Sequence, residues 1–275
     1  MITAKIVADS TCTNGKRITT FELEYPRFVH SEFMTHRMIS KNSASSRAIP
    51  VATMIQQLLD NPAMPVYWGK NQSGMSAKEE LYGLDLIAAK DVWLTARNQA
   101  ILHAQKLIEL GLHKQIANRI LEPWAHIKVV ATATEWDNFF HLRRHRDAQP
   151  EIRALANEMF FEYNQSKPHM LYEGEWHLPY VTEKDRYTFT PGDCIKLSAS
   201  LCAQVSYRKA DDSIEKAMAI YDRLVNSKPV HASPFEHQAT PLLFDTDASG
   251  NFFGWHQYRQ MIPNNVCNEY KPGTE

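Results

Sequence analysis

Glycine is scarce in this chain. Ten glycines in 275 residues are about half the usual share, and no GxG occurs anywhere. That excludes the Rossmann fingerprint and the P-loop, where glycine lets the backbone approach a phosphate. Neither a GxSxG elbow nor an HExxH pair is present. A bound nucleotide would therefore have to be held mainly by side chains. Cysteine is equally sparse: Cys12, Cys194, Cys202 and Cys267 form no CxxC, so neither a disulfide framework nor a thiolate zinc site is indicated. No sign of charge prevails. Thirty Lys plus Arg stand against 31 Asp plus Glu, which argues against a general nucleic-acid coat. No apolar run approaches the ~18 residues of a membrane span, and the start MITAKIVADS lacks a charged head followed by an apolar stretch. The expectation is a cytoplasmic protein that partners neither membrane nor nucleic acid.

What is present reads as a globular chain, 44% hydrophobic and 22% charged, long enough for one large domain or two modest ones. Ile2 to Val7 is short and apolar. Ile18 to Tyr25 alternates, with Thr19, Phe21, Leu23 and Tyr25 on one side and Ile18, Thr20, Glu22 and Glu24 on the other, which predicts a half-buried strand. Helical spacing follows from Arg27 to Thr35 and from Val51 to Leu59. Ser76 to Leu110 is expected to be helical, punctuated by Gly83 and capped by Gly111. Ile127 to Thr134 is β-branched and reads as a strand. A helix should run from Pro150 to about Tyr163 with Asp147 as its N-cap. Another should run from Ser213 to about Val225, capped by Asp211 and Asp212. The order predicts an α+β fold, an antiparallel sheet with segregated helices.

Three stretches carry chemistry. The first is Thr35-His36-Arg37-Met38-Ile39-Ser40-Lys41-Asn42-Ser43-Ala44-Ser45-Ser46-Arg47, inside a span without an acid from Phe33 to Leu59. Hydroxyls, an amide and guanidinium forks suit anion recognition, although Ser and Asn also favour an ordinary polar loop. The second runs from Asn138 to Arg153. His141 and His145 are four apart and could share a helical face, but Arg143, Arg144 and Arg146 crowd them, and three guanidiniums make a poor cation site. No metal is expected there; an anion site or a solvated helix entry fits better. The third is His231-Ala232-Ser233-Pro234-Phe235-Glu236-His237. Ser233 and His237 could suggest a hydrolytic pair, but no Gly-rich oxyanion turn accompanies them. A weaker stretch, Gly254 to Arg259, reads as an amphipathic helix.

Together these stretches resemble the flavin-dependent thymidylate synthases. Residues 35–47 match that family's R-H-R-x-x-S-x-N-x-x-S-x-R through His36, Arg37, Ser40, Asn42, Ser45 and Arg47, with Thr35 in place of the first arginine. Asn138, Leu142, Arg143, Ala148, Gln149, Glu151 and Ile152 match its distal segment, and Arg119-Ile120-Leu121 before Pro123 resembles a further nucleotide-binding stretch. His231, Ser233, Glu236 and His237 match its H-x-[ST]-P-F-E-H. In the family that motif precedes the arginine signature; here it follows. The chain is therefore expected to be a circularly permuted member: one catalytic domain over 1–275, with a helical insertion at about 50–115, a loop-rich connection at about 165–193 and a permuted segment at about 194–245. The permutation requires residues 231–237 to lie beside residues 18–47.

The resemblance implies reductive methylation of dUMP to dTMP. FAD would be the cofactor, and NADPH and methylenetetrahydrofolate the co-substrates. It implies Arg143 as the group activating the pyrimidine and Arg47, Ser45, Ser46, Arg119 and Arg143 as substrate-binding. His36, Arg37, Asn42, Asn138, His231, Ser233 and Glu236 would bind the flavin. Family members are homotetramers, so self-association is expected. Glu32 stands where the family has an active-site glutamine, Ser43 replaces an acid, and Thr132 and Thr134 fall near flavin-contacting positions. Glu32 is a further catalytic candidate, because a carboxylate could accept from a cytosine amino group. A C5 methyl- or hydroxymethyltransferase acting on dUMP or dCMP, and a non-catalytic nucleotide-binding homologue, are the alternatives.

Overall fold

The computed structural model describes residues 1–205 and 213–269. Its frame is a five-stranded sheet made of β1 (Thr3–Cys12), β2 (Arg17–Pro26), β3 (Ser40–Ser43), β4 (His126–Ala133) and β5 (His169–Leu171), ordered β3-β4-β2-β1-β5 in space. The first four strands pair antiparallel, whereas β5 lies parallel to β1 at the edge. β4 and β5 thus point the same way, and the chain between them makes the helical crossover that a parallel return needs.

The alternation read in β2 is realised. Phe21, Leu23 and Tyr25 face one layer together with Val129, Ala131 and Ala133 of β4. That layer holds α1 (His30–Met34), α5 (Asp137–Arg143) and α6 (Pro150–Gln165), through Phe33, Trp136, Phe139, Phe140, Ile152, Leu155 and Met159. Aromatic rings meet edge-on throughout, Phe21 on Trp136 at 5.1 Å and Phe33 on Phe139 at 5.7 Å. Such contacts contribute beyond area burial. The opposite sheet face is polar along Thr20 and Thr132. It is covered by α8 (Pro191–Ala203), buried on nearly every side, with α9 (Ile214–Asn226) packed outside it.

A third assembly lies at the start of β4. There α2 (Val51–Asp60) and α3 (Gly83–Glu109), the latter followed by the short α4 (Lys114–Ala117), pack around Met54, Leu58, Ile101, Ala104 and Leu121. Helix α3 starts at Gly83, not Ser76; residues 61–82 form no helix. The Gly111 cap is observed. Its N–H donates to Ile108 O and the Leu112 N–H to Leu107 O, both at 2.9 Å. With Gly111 at φ +84°, this is a Schellman closure.

Several local expectations are corrected. Helix α6 is capped by Gln149 rather than Asp147, its Oε1 accepting from the Glu151 and Ile152 N–H groups at 3.0 and 3.1 Å. The longer side chain reaches from the residue directly before Pro150. Ser213 caps α9; Asp211 and Asp212 lie outside the described residues. The 165–193 connection contains β5, a short helix α7 (Glu183–Thr188) and the first turn of α8. Residues 254–259 are not helical. Trp255–Gln257 is a strand that pairs antiparallel with Ala239–Pro241, followed by a 3-10 turn at Tyr258–Met261. Trp255 there joins a second core with Cys12, Ile18, Leu171, Ala239 and Phe252, and that burial outweighs the helical spacing.

Candidate functional site

The arginine-signature stretch is not a simple loop. It leaves α1, turns at His36 and enters β3 against β4, Ser40 opposite Thr132. At this end of β4, α5 delivers Arg143. Its Nε donates to His36 Nε2 at 2.7 Å and its Nη2 to Thr35 Oγ1 at 3.3 Å. The His36 ring stands edge-on to Phe139 at 4.9 Å. Burial, then the nearby charges of Arg143 and Lys41, push His36 down to about 4. The imidazole is thus neutral near pH 7 and accepts from the guanidinium instead of repelling it. Lys41 caps the same turn, donating to His36 O at 2.5 Å and Ile39 O at 3.0 Å, and burial lowers it to about 8.

The other expected substrate groups gather elsewhere. Ser46 is buried and its Oγ donates to Glu122 Oε1 at 2.7 Å. Arg119 Nη1 donates to that same oxygen at 2.9 Å, and Arg27 Nη2 lies 3.1 Å from it. Asn118, wholly buried, fixes the loop by donating to Ser46 O and Ile49 O. This cluster sits at the beginning of β4, where the Arg27 N–H meets Ala125 O. Thr132, opposite Ser40, lies seven residues further along the chain, roughly 23 Å of extended backbone at the usual rise. Arg119 and Ser46 thus share Glu122, whereas Arg143 is bonded to His36 and Thr35. Arg47 is exposed, and Ser45 is half-buried at the start of the same turn.

The third stretch does fold back onto β3. Ser233 Oγ donates to Asn42 Oδ1 at 3.4 Å, and Asn42 Nδ2 donates to Cys202 O at 2.7 Å. Glu236 is ion-paired with Arg259. His231, Arg37 and Asn138 are exposed, and Glu32, half-buried, accepts from Ser31 Oγ at 3.1 Å. The Ser233–His237 pair is not formed. His237 is completely buried, and its Nδ1 lies 2.9 Å from Thr132 Oγ1. From there a chain of contacts continues through Thr20 Oγ1 at 2.7 Å, His177 Nε2 at 2.8 Å and Ser10 Oγ at 2.9 Å. Burial drives both histidines to about 3. Thr132 is thus spent inside the protein, and Thr134 Oγ1 accepts the Phe253 N–H at 3.1 Å. Nor do His141 and His145 share a helical face, because α5 ends at Arg143.

Glu122 was not singled out by the sequence reading, although it lies three residues after Arg119, the helical distance for an ion pair. His177 carried no motif.

A family model described as thymidylate synthase complementing protein matches residues 17–169. The chain belongs to this family. The match spans β2 to the start of β5 and includes His36, Arg119 and Arg143, but not residues 231–237. No curated protein matches the chain in sequence. Among solved structures, the UMP/dUMP methylase PolB from Streptomyces cacaoi bound with 5-Br UMP is similar at a TM-score of 0.52 and 19% identity, covering 62% of this chain and 90% of its own. The same methylase bound with 5-Br dUMP gives a TM-score of 0.50, 19% identity, and coverage of 62% and 91%. At that identity the likeness establishes a shared fold. Among the described residues no helix is long and apolar enough to cross a membrane.

Proposed function

We propose that this chain is a thymidylate synthase of the flavin-dependent type, methylating C5 of dUMP. The observation that carries the reading is Arg143 held against a neutral His36. Its guanidinium is fixed from one edge by His36 and Thr35 and remains only partly buried, ready to face negative charge developing on a pyrimidine ring. Family membership and the UMP/dUMP activity named for the structural neighbour support the same substrate class.

The residues present fit FAD in part. Asn42, Ser233 and Glu236 are occupied by one another, by Cys202 and by Arg259. Arg37, Asn138 and His231 are exposed and offer a guanidinium, an amide and an imidazole suited to a pyrophosphate and a polar ring edge. These three, with His36, would hold the flavin. Bound there, it would supply reducing equivalents replenished by NADPH, while methylenetetrahydrofolate provides the carbon. The protein's own part is to bind the nucleotide, orient it and polarise its ring.

The separate partners of the two arginines, Glu122 for Arg119 and His36 with Thr35 for Arg143, support a site completed by a second copy, as a homotetramer would allow. The Ser233–Asn42 contact supports residues 194–245 as a permuted segment docked where the family's order would place it. A dCMP-directed variant of the reaction is the second reading. Glu32 lies one turn from Thr35, which bonds both Glu32 O and Arg143.

The test is tritium release from [5-³H]dUMP, run beside [5-³H]dCMP, with FAD, NADPH and methylenetetrahydrofolate. Release from dUMP is expected, with Arg143→Ala lowering turnover by about 100-fold or more, as for loss of one preorganised charge-stabilising donor. Release from dCMP alone would establish the second reading. No release from either, in folded protein that also retains no flavin, would leave a nucleotide-binding homologue.

A further inference from the structure

The cluster at the start of β4 has the donor set of an oxyanion site, and an oxyanion already occupies it. Two guanidiniums and a buried hydroxyl converge on a single atom, Glu122 Oε1. Arg and Ser donors aimed at one oxygen are what a phosphate group selects. Asn118 anchors the loop that carries Ser46, so the donors are held in place rather than collected by chance. Arg119 is half exposed, with a side-chain relative accessibility of 50%, and donates from Nη1 to Glu122. Lys114, which donates to Ala48 O at 3.2 Å, and Arg47 stand nearby on the same loop system. Two guanidiniums thus share one carboxylate, and the surplus positive charge suits a second, stronger anion. The neighbouring groove of about 800 Å³, lined in part by Glu22, Glu24 and Asp60, has the opposite character.

We propose that Glu122 is an internal stand-in for the substrate's phosphate: its carboxylate occupies the anion position in the free protein and must yield when a nucleoside monophosphate binds. The exchange replaces one acceptor with another, so Ser46 keeps the partner that a buried hydroxyl requires. Glu122 therefore sets the threshold for nucleotide entry. Only a ligand whose anion outbids a tethered carboxylate gains Arg119 and Ser46. This rests on the reading of Arg119 and Ser46 as nucleotide-binding, but its chemistry needs only an anion.

The test is calorimetric titration of the full chain and of Glu122→Gln with inorganic phosphate and, separately, with dUMP. Gln keeps the shape and an acceptor oxygen while removing the charge. The expected result is phosphate and dUMP affinity at least ten-fold higher in E122Q, with the gain abolished by adding Arg119→Ala. Equal or weaker phosphate affinity in E122Q overturns the proposal, since Glu122 would then be a support for Arg119 and not its occupant. A phosphate gain without dUMP binding to either protein keeps the stand-in and overturns the nucleotide reading. dUMP binding without any phosphate gain does the reverse. Should E122Q fail to fold, Glu122→Asp, which withdraws the carboxylate by one carbon, must show a gain of the same sign or the proposal falls.

Discussion

A buried imidazole flanked by hydroxyls is stable only in one protonation state. His237 and His177 are both sealed from solvent and linked through Thr132 and Thr20. Their folded-state values near 3 lie far below the ordinary 6.5. The unfolded chain therefore binds more protons between about pH 6.5 and pH 3, so stability is full above that window and falls as pH drops through it. The upper bound is roughly 3 kcal/mol per histidine by pH 4. His30, His36 and His126, each lowered to about 4, add to the same trend. Urea denaturation from pH 7 to pH 4 should show it, and His237→Asn should be less stable at pH 7 yet lose less on acidification. A pH slope unchanged by that variant would assign the acid loss elsewhere. Part of this was legible. The strand alternation placed Thr20 on the face opposite Phe21, and His237 stood in a motif. His177, in a stretch without periodicity, joins them only because the fold carries it across the sheet.

Among the elements, α3 shows where local rules suffice and where they stop. Its C-terminal glycine could be read directly, because a left-handed residue after the last turn favours glycine. Gly111→Ala is expected to cost about 1 kcal/mol, seen as a lower midpoint in thermal denaturation with the fold unchanged. An unaltered midpoint would mean that the closure does not tether the helix. The apolar residues of α3 gave no comparable guide. Leu84, Ile87, Val92, Leu102 and Ile108 are exposed, while Ile101 and Ala104 are buried, so counting hydrophobic positions overstated both its inner face and its start. The Gly254–Arg259 stretch misled for the converse reason. Its spacing suited a helix, yet Trp255 gains more by completing the core around Ile18 and Phe252, and β pairing with residues 239–241 delivers it there. The Asp147 cap failed over two residues of reach, since Gln149 bridges to the first turn from closer in.

At the scale of the molecule, the signature residues were legible as a set but not as a place. Their chemistry pointed to one anion-and-ring site. The fold instead gives Arg143 to His36 and Arg119 with Ser46 to Glu122, a division that no spacing in the chain announces. If copies complete each other, two variants with different defects should rescue one another. Mixing Arg143→Ala with Arg119→Ala after joint refolding should restore about a quarter of wild-type turnover per site, the share of symmetric sites that draw both intact arginines. No recovery over either variant alone would mean that each protomer works by itself.

The hydroxyl-and-imidazole chain across the sheet also has a consequence for biosynthesis. Thr20 and Thr132 leave the ribosome well before His177, and His237 comes later still. Domains assemble as the chain emerges, at about 5–20 residues per second, so for several seconds the sheet presents a polar inner face that only the arrival of His237 can finish covering. A nascent chain stalled short of residue 237 would carry the whole arginine signature and yet lack the segment that seals the sheet behind it. It would be a natural client for chaperones until residue 237 has emerged.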